Sequence, residues 1–333
     1  MAEDRQRAAA AAGPPAAVAA RSGPGARGAG PRRKKSAARG HAAPGESLLW
    51  LAPALLLIAG VVVYPAIQLV RASTGRYSIT GLRLGSAGAD NYRNVFHHPA
   101  LTTVMKNTAV WVGAVVLLTI LLSLPLAQFL TKSFFGRRLV RWAIIVPWAV
   151  SLVITGRLFS LIYNYDYGIL SRLLQWLNVI DKPIDFLGDD RWTMPAMIAV
   201  GIFVSMPFTA YVFLAGLNGI QGDVYEAARI DGARPWQIYL RITLPLLRPA
   251  LIVATVLNII YVFNSFPIIY TLNDRNPGFT HDTSITFMYK VAFKSAERDV
   301  GMSAAAGIFN VLLILVVVVF YLRTLRWRER EKS

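Results

Sequence analysis

The sequence predicts an all-α polytopic membrane protein with six transmembrane helices. Two observations carry that reading: 55% of its 333 residues are hydrophobic against 16% charged, and the apolar residues are gathered into six long stretches rather than spread with amphipathic spacing. A mean hydropathy of +0.45 is more than a soluble domain keeps dispersed in water.

The elements follow in order. Residues 1–47 are Ala, Gly, Pro and Arg with almost no large apolar side chain, so they cannot bury enough surface to offset chain entropy and read as a disordered basic tail. The cluster Arg32-Arg33-Lys34-Lys35 there is able to touch lipid headgroups or simply stay solvated. The stretches run approximately Leu48–Val70, Thr103–Leu130, Trp142–Tyr163, Met194–Leu214, Pro249–Tyr270 and Met302–Leu322. Each has about 20 residues or more, enough at ~1.5 Å per residue to cross a ~30 Å hydrocarbon core. The first is too long and too deep in the chain for a cleaved secretory signal and reads as a retained helix. Residues 48–322 thus form the membrane domain, and 323–333 a short C-terminal tail.

Orientation follows the basic residues. Nine Lys and Arg stand in the first 47 residues, and Lys132, Arg137, Arg138 and Arg141 stand in the loop 131–141 with no acid. The loop 164–193 carries five acids against three bases, as an outer loop tolerates. Both termini are therefore expected in the cytoplasm. The net charge of +17 is distributed along membrane flanks, which argues for an anionic lipid surface and against nucleic acid.

The residues exclude several chemistries. With no cysteine, disulfides and thiolate sites are out. No Gly-x4-Gly-Lys-Ser/Thr phosphate loop is present, so the chain does not bind ATP in that manner. His41, His97, His98 and His281 lie in the tail or in expected outer loops without partners at ligand spacing, so no metal, catalytic site or cofactor is expected.

The informative segment is the loop 215–248, longer than packing two helices requires. Asp223 is expected to cap a helix over Val224–Asp231, with Gly232 ending it, Pro235 opening a second helix over Trp236–Ile242, and Leu244-Pro245 closing that one. A small helix-turn-helix across a membrane face is an element that a partner's groove can hold.

Within it, Glu226-Ala227-Ala228, three residues, Gly232, nine residues, Ile242, one residue and Leu244-Pro245 form an ungapped EAA-x3-G-x9-I-x-LP pattern. The chain thereby resembles the permeases of binding-protein-dependent ABC importers. Leu51-Ala52-Pro53, Asn91-Tyr92 before Phe96, Asn107-Thr108, Asp166-Tyr167-Gly168 and Tyr225 through Ala233 are similar to the sugar and glycerol-phosphate permeases, near the first of their two unlike subunits. After the fifth stretch the family's Thr-x-Gly-Gly-Pro is replaced by Thr271 through Gly278, a departure where a binding protein is expected to dock.

The resemblance implies a type I importer permease fold with a cytoplasmic coupling helix-turn-helix. It implies a cytoplasmic ABC ATPase dimer, a second permease subunit and an extracellular solute-binding lipoprotein as partners, with membrane lipid around them. The coupling residues would be Glu226, Ala227, Ala228, Asp231, Gly232, Ile242, Leu244 and Pro245, with the Glu contacting the ATPase electrostatically. The cargo would be a mono- or oligosaccharide; glycerol phosphate or another small polar solute is the alternative. An ATP-independent channel or secondary transporter would call for an intramembrane charge relay or broken inverted repeats, and neither is evident.

Polar residues inside the spans are candidates for the path of the cargo. Asn258, Tyr261 and Ser265 at i, i+3 and i+7 share a helical face, with Asn264 adjacent, and offer amide, hydroxyl and aromatic groups to a polyol. The same residues serve equally to hydrogen-bond neighbouring helices. Arg157 is expected to pair with a carboxylate or a substrate oxygen, or to snorkel outward, Asn310 to bond a neighbouring helix, and Trp50, Trp142 and Trp327 to anchor at the interfaces.

Overall fold

The computed structural model describes residues 44–274, 276, 278–295 and 298–330, with side chains described from Trp50 to Thr324. Most of the expected tail, 1–43, lies outside the described residues, as do 331–333. The chain divides into two units, Met1–Leu56 and Leu57–Ser333. The described part of the first is the start of helix α1 (Pro44–Ile58), which takes in the last four residues of the expected tail.

Among its described residues, the second unit is built from helices and one small hairpin. A π turn (Ala59–Val63) leads into α2 (Tyr64–Ser73); β1 (Gly75–Tyr77) and β2 (Arg83–Ser86) pair antiparallel, followed by α3 (Asp90–His97). Then come α4 (Leu101–Thr131), α5 (Arg137–Ala149), α6 (Leu152–Ile162), α7 (Ile169–Trp176) and α8 (Asp190–Asn218). The loop helices are α9 (Gly222–Ile230) and α10 (Pro235–Ile238), the latter continued by a π turn (Tyr239–Thr243) and α11 (Leu244–Leu246). The chain ends with α12 (Arg248–Phe263), α13 (Phe266–Leu272), α14 (Ser284–Phe293) and α15 (Val300–Arg330).

All six apolar stretches are mainly helical, and among the described residues four are single runs long and apolar enough to span: Trp50–Ser73, Leu101–Thr131, Asp190–Asn218 and Val300–Thr324. The third and fifth are not the straight helices expected. In the third, α5 and α6 meet at 99°; just before the fifth begins, Pro235–Leu246 meets α12 at 65°. In the first bend Pro147 withholds an N–H from the last turn of α5, and Val150 and Ser151 are extended with ψ of 143° and 136°. In the second, Leu247 turns the chain between Pro245 and Pro249. The fifth stretch also ends early, since α12 stops at Phe263 and Asn264-Ser265 redirect the chain into α13. α15 continues through most of the expected C-terminal tail.

Each π turn is followed by one residue and then a proline, Tyr64-Pro65 and Leu244-Pro245. The N–H of Tyr64 bonds to Ala59 O before Pro65, and that of Leu244 bonds to Tyr239 O before Pro245. The widened turn carries the helix past a residue that has no N–H to donate.

The core runs where α4 lies along α8. Trp111 and Val115 from α4 pack on Met197, Val200 and Val204 from α8, and Trp111 Nε1 donates to Val262 O in α12 at 2.9 Å. Gly201 permits the approach, because a Cβ there would stand 2.8 Å from the Trp111 ring. A second cluster closes the end that carries Thr131, with Leu130, Phe213, Leu214, Leu217, Leu247 and Ala254 in contact. Around these cores large apolar side chains point outward, among them Val61, Val62 and Val63, Leu117 and Leu121 on α4, and Leu315, Val316 and Phe320 on α15. Water would penalise such a surface heavily; hydrocarbon would not. Trp50 and Trp142 are exposed, while the Trp327 side chain lies outside the described set.

Candidate functional site

The loop after α8 is folded throughout. Asp223 does not cap α9; Gln221 holds the N-cap position and Asp223 lies in the first turn, where its charge favours the helix dipole. The other end of α9 is fixed by a paired arrangement of backbone bonds. Asp231 caps it, Gly232 N donates to Arg229 O at 3.0 Å, and Ala233 N donates to Ala228 O at 3.0 Å. That is a Schellman closure, and it needs a left-handed residue, which Gly232 supplies at φ +76°. Pro235 opens α10, and the Gln237 side chain accepts from the Arg234 N–H at 2.7 Å. Leu244-Pro245 does not close the second helix as expected: the π turn carries it on to Leu246.

The loop presents one set of residues and anchors another. Glu226, Ala227, Asp231, Gly232 and Pro245 are exposed; Ile242 and Leu244 are half-buried; Ala228 is buried. Beside the Gly232 turn, Ile230 is 86% and Trp236 54% exposed. Neither belongs to the sequence pattern, yet both extend the exposed face with apolar surface. The base is tight: Leu247 is 1% exposed within the Leu130–Phe213–Leu217 cluster, and Gly216 lets its side chain approach α8. Thr243, buried, donates to Ile238 O. Any push on the turn therefore reaches the ends of α4, α8 and α12 through packed side chains.

A second feature lies where α5 bends. Trp148, Val204, Ser205, Phe208, Leu257, Asn258 and Tyr261 line a cavity of about 260 Å³. Trp148 and Phe208 stack with centroids 6.3 Å apart. Asn258, 3% exposed, donates to Thr209 Oγ1 at 2.7 Å and to Ala254 O at 3.0 Å. Of the four path residues read from the sequence, Asn258 and Tyr261 thus share the cavity. Asn264 and Ser265 do not: Asn264 Nδ2 bonds to Ile260 O at 2.8 Å and Ser265 Oγ to Tyr261 O at 3.1 Å, past the end of α12. Trp148 and Phe208 escaped the sequence reading because they lie 60 positions apart, on separate apolar stretches with the charged loop 164–193 between them.

At the opposite end from the loop, Arg157 faces Asp274 at 3.7 Å, beside a cavity of about 310 Å³ that also takes Tyr165, Tyr167 and Asp185. Lys294, outside the spans, has its ammonium pKa raised by a hydrogen bond to Tyr270. Between the fifth and sixth stretches the chain buries an ion pair that the sequence did not announce. Lys290 Nζ stands 2.6 Å from Asp282 Oδ2 and bonds Asn276 O and Gly278 O, while Asn273 Nδ2 donates to Asp282 Oδ1 at 3.0 Å. Asn107 on α4 ties into the same knot through Thr280 O and Asp282 O, and Asn310 Nδ2 reaches Ser284 O at 3.2 Å. His281 lies 3.4 Å from Asp190, His97 bonds Arg93 O, and His98 meets the Phe279 and Phe287 rings edge-on. Among the described residues no group of three or more His, Cys, Asp or Glu side chains is arranged to hold a metal.

With this geometry in view, comparison with known proteins is specific. Residues 119–328 match the family described as binding-protein-dependent transport system inner membrane component. A probable ABC transporter permease protein of Brucella suis is 39% identical over 81% of this chain and 93% of its own length. The trehalose/maltose transport system permease protein MalF of Thermococcus litoralis is 37% identical over 63% of this chain and 69% of its own. Among solved structures, a bacterial ABC transporter that imports the acidic polysaccharide alginate has a chain with TM-score 0.73 and 26% identity, covering 85% of this chain and 96% of that one. A second structure of an alginate ABC transporter holds an alginate pentasaccharide-bound periplasmic protein.

Proposed function

The chain belongs to the family of binding-protein-dependent transport system inner membrane components, and from that premise we propose that it is one of two permease subunits of an ATP-driven sugar importer. It is a multi-pass cell-membrane protein and a transport component rather than an enzyme. ATP is hydrolysed on a separate chain, and an extracellular solute-binding protein delivers the sugar. Both termini and the Gly232 turn face the cytoplasm in this reading.

The observation that carries it is the loop 222–246. Its turn is fixed by two backbone bonds at Gly232, its exposed face offers Glu226, Ile230, Asp231 and Trp236, and its base is packed into three spans through Leu247. An element with a rigid exposed tip and a buried root transmits force. Closure of an ATPase pair would move it as a body, and the spans would exchange an inward-facing cavity for an outward-facing one.

For the cargo, the cavity at the α5 bend supports a carbohydrate. Trp148, Phe208 and Tyr261 offer flat faces to sugar C–H groups, and Asn258 and Ser205 offer polar ones. Glycerol phosphate is disfavoured because Arg157, a cation within the third stretch, already faces Asp274. Affinity purification of the tagged chain from its own membrane tests the reading: an importer brings an ATPase and a second permease, whereas a channel or secondary transporter comes without them.

A further inference from the structure

A cleft of about 820 Å³ opens between the end of α4 and the loop helices, and its lining is one-signed. Lys132, Arg229 and Arg234 line it together with the hydroxyl-bearing Tyr225 and Tyr239, and among the described residues no carboxylate does. Among the described residues none of these three cations is within ion-pair distance of an acid. Three unneutralised cations converging on one concavity repel each other unless an anion joins them, and guanidinium forks suit phosphate oxygens in particular.

The position of the cleft points to the source of that anion. Lys132 directly follows Thr131, the last residue of the apolar 31-residue helix α4, so its ammonium stands where hydrocarbon gives way to headgroups. Phe134 packs against Phe129 with centroids 4.5 Å apart, and Phe135 beside them is fully exposed, as an aromatic residue at a membrane interface can be. The chain's own tail is unsuited as the occupant, because residues 1–47 carry nine Lys and Arg. Of the residues assigned to ATPase contact, only Gly232 lines the cleft.

We propose that this cleft seats the phosphate of an anionic phospholipid headgroup, held by Lys132, Arg229 and Arg234 behind the exposed tip of the loop. The lipid would then brace the loop helices against α4. The site does not depend on the sugar reading and is tested without any transport assay.

The test is native mass spectrometry of the purified, delipidated full complex titrated with palmitoyl-oleoyl phosphatidylglycerol or the matching phosphatidylcholine. Phosphatidylglycerol is expected to bind at least tenfold more tightly than phosphatidylcholine. The Lys132→Gln/Arg229→Gln/Arg234→Gln variant is expected to lose that preference, and millimolar inorganic phosphate to leave it intact. Equal binding of the two lipids, or an unchanged preference in the variant, overturns the proposal. Displacement by inorganic phosphate would instead assign the cleft to a soluble anion. Should the triple variant fail to assemble, a photoreactive phosphatidylglycerol on the wild-type complex replaces it. Adducts on peptides spanning 128–132 and 225–243 are expected; their absence, or protection of those peptides by the ATPase alone, contradicts the assignment.

Discussion

The N–H of Ala233 reaches back to the carbonyl of Ala228 at 3.0 Å, and that bond holds the loop turn in one shape. It forms only because Gly232 between them adopts φ +76°. Any L side chain at 232 costs ~1–2 kcal/mol in this conformation, and proline cannot adopt it. Gly232→Pro is therefore expected to abolish uptake while the chain still reaches the membrane, and Gly232→Ala to weaken it. Uptake normalised to membrane-inserted protein measures both; full uptake by Gly232→Pro would show that the turn's shape is irrelevant.

Glu226 stands exposed on the same face and is free of any ion pair among the described residues. Glu226→Lys thus removes nothing that holds this chain together. The expected result is unchanged thermal stability of the permease with loss of substrate-stimulated ATP hydrolysis in the complex. Retained stimulation would mean that the partner does not read this charge.

Asn258 and Tyr261 differ in what their removal should do. Asn258 bridges α12 to α8 through Thr209, so Asn258→Ala sacrifices about 1–3 kcal/mol of stability as well as a cavity amide. Tyr261 projects a half-exposed ring into the same cavity. Tyr261→Ala is expected to lose uptake with basal ATP hydrolysis preserved, and Tyr261→Phe to recover most of it if the flat face matters. Wild-type uptake in both alanine variants would remove this cavity from the sugar's path.

The buried pair Asp282–Lys290 follows the asymmetry of buried charges. Removing one partner strands the other, so Lys290→Met should destabilise by about 3–5 kcal/mol, whereas Asp282→Leu/Lys290→Met should lie much closer to wild type. Thermal unfolding in detergent measures the pattern. Additive losses in the double variant would contradict a paired origin.

The legible parts of this molecule were those encoded locally. Six apolar stretches need no tertiary information, and the loop pattern from Glu226 to Pro245 sets a turn whose glycine, proline and spacing are all within 20 residues. The illegible parts depend on distant contacts or on backbone turns that hydropathy averages away. The bend at Val150-Ser151 lies inside a continuous apolar run, so the third stretch reads as one straight helix. Ser265 falls off the Asn258–Tyr261 face only because α12 ends at Phe263. Asp282 and Lys290 look like ordinary loop charges until Asn107, Asn273 and the Asn276 and Gly278 carbonyls enclose them. Asp223 has the composition of a cap, but the helix begins one residue before it.

If the 222–246 loop seats against an ATPase, a thiol placed on its turn reads the contact directly, because the chain has no cysteine of its own. A single Ile230→Cys replacement puts a thiol on the most exposed apolar residue of the turn. Labelling that thiol with a maleimide–benzophenone reagent and irradiating the assembled complex should give one photo-adduct, between this chain and the ATPase, whose yield changes on adding ATP. A thiol that stays equally accessible to a bulk reagent with and without the ATPase, and forms no adduct, would show that this turn does not seat against the ATPase.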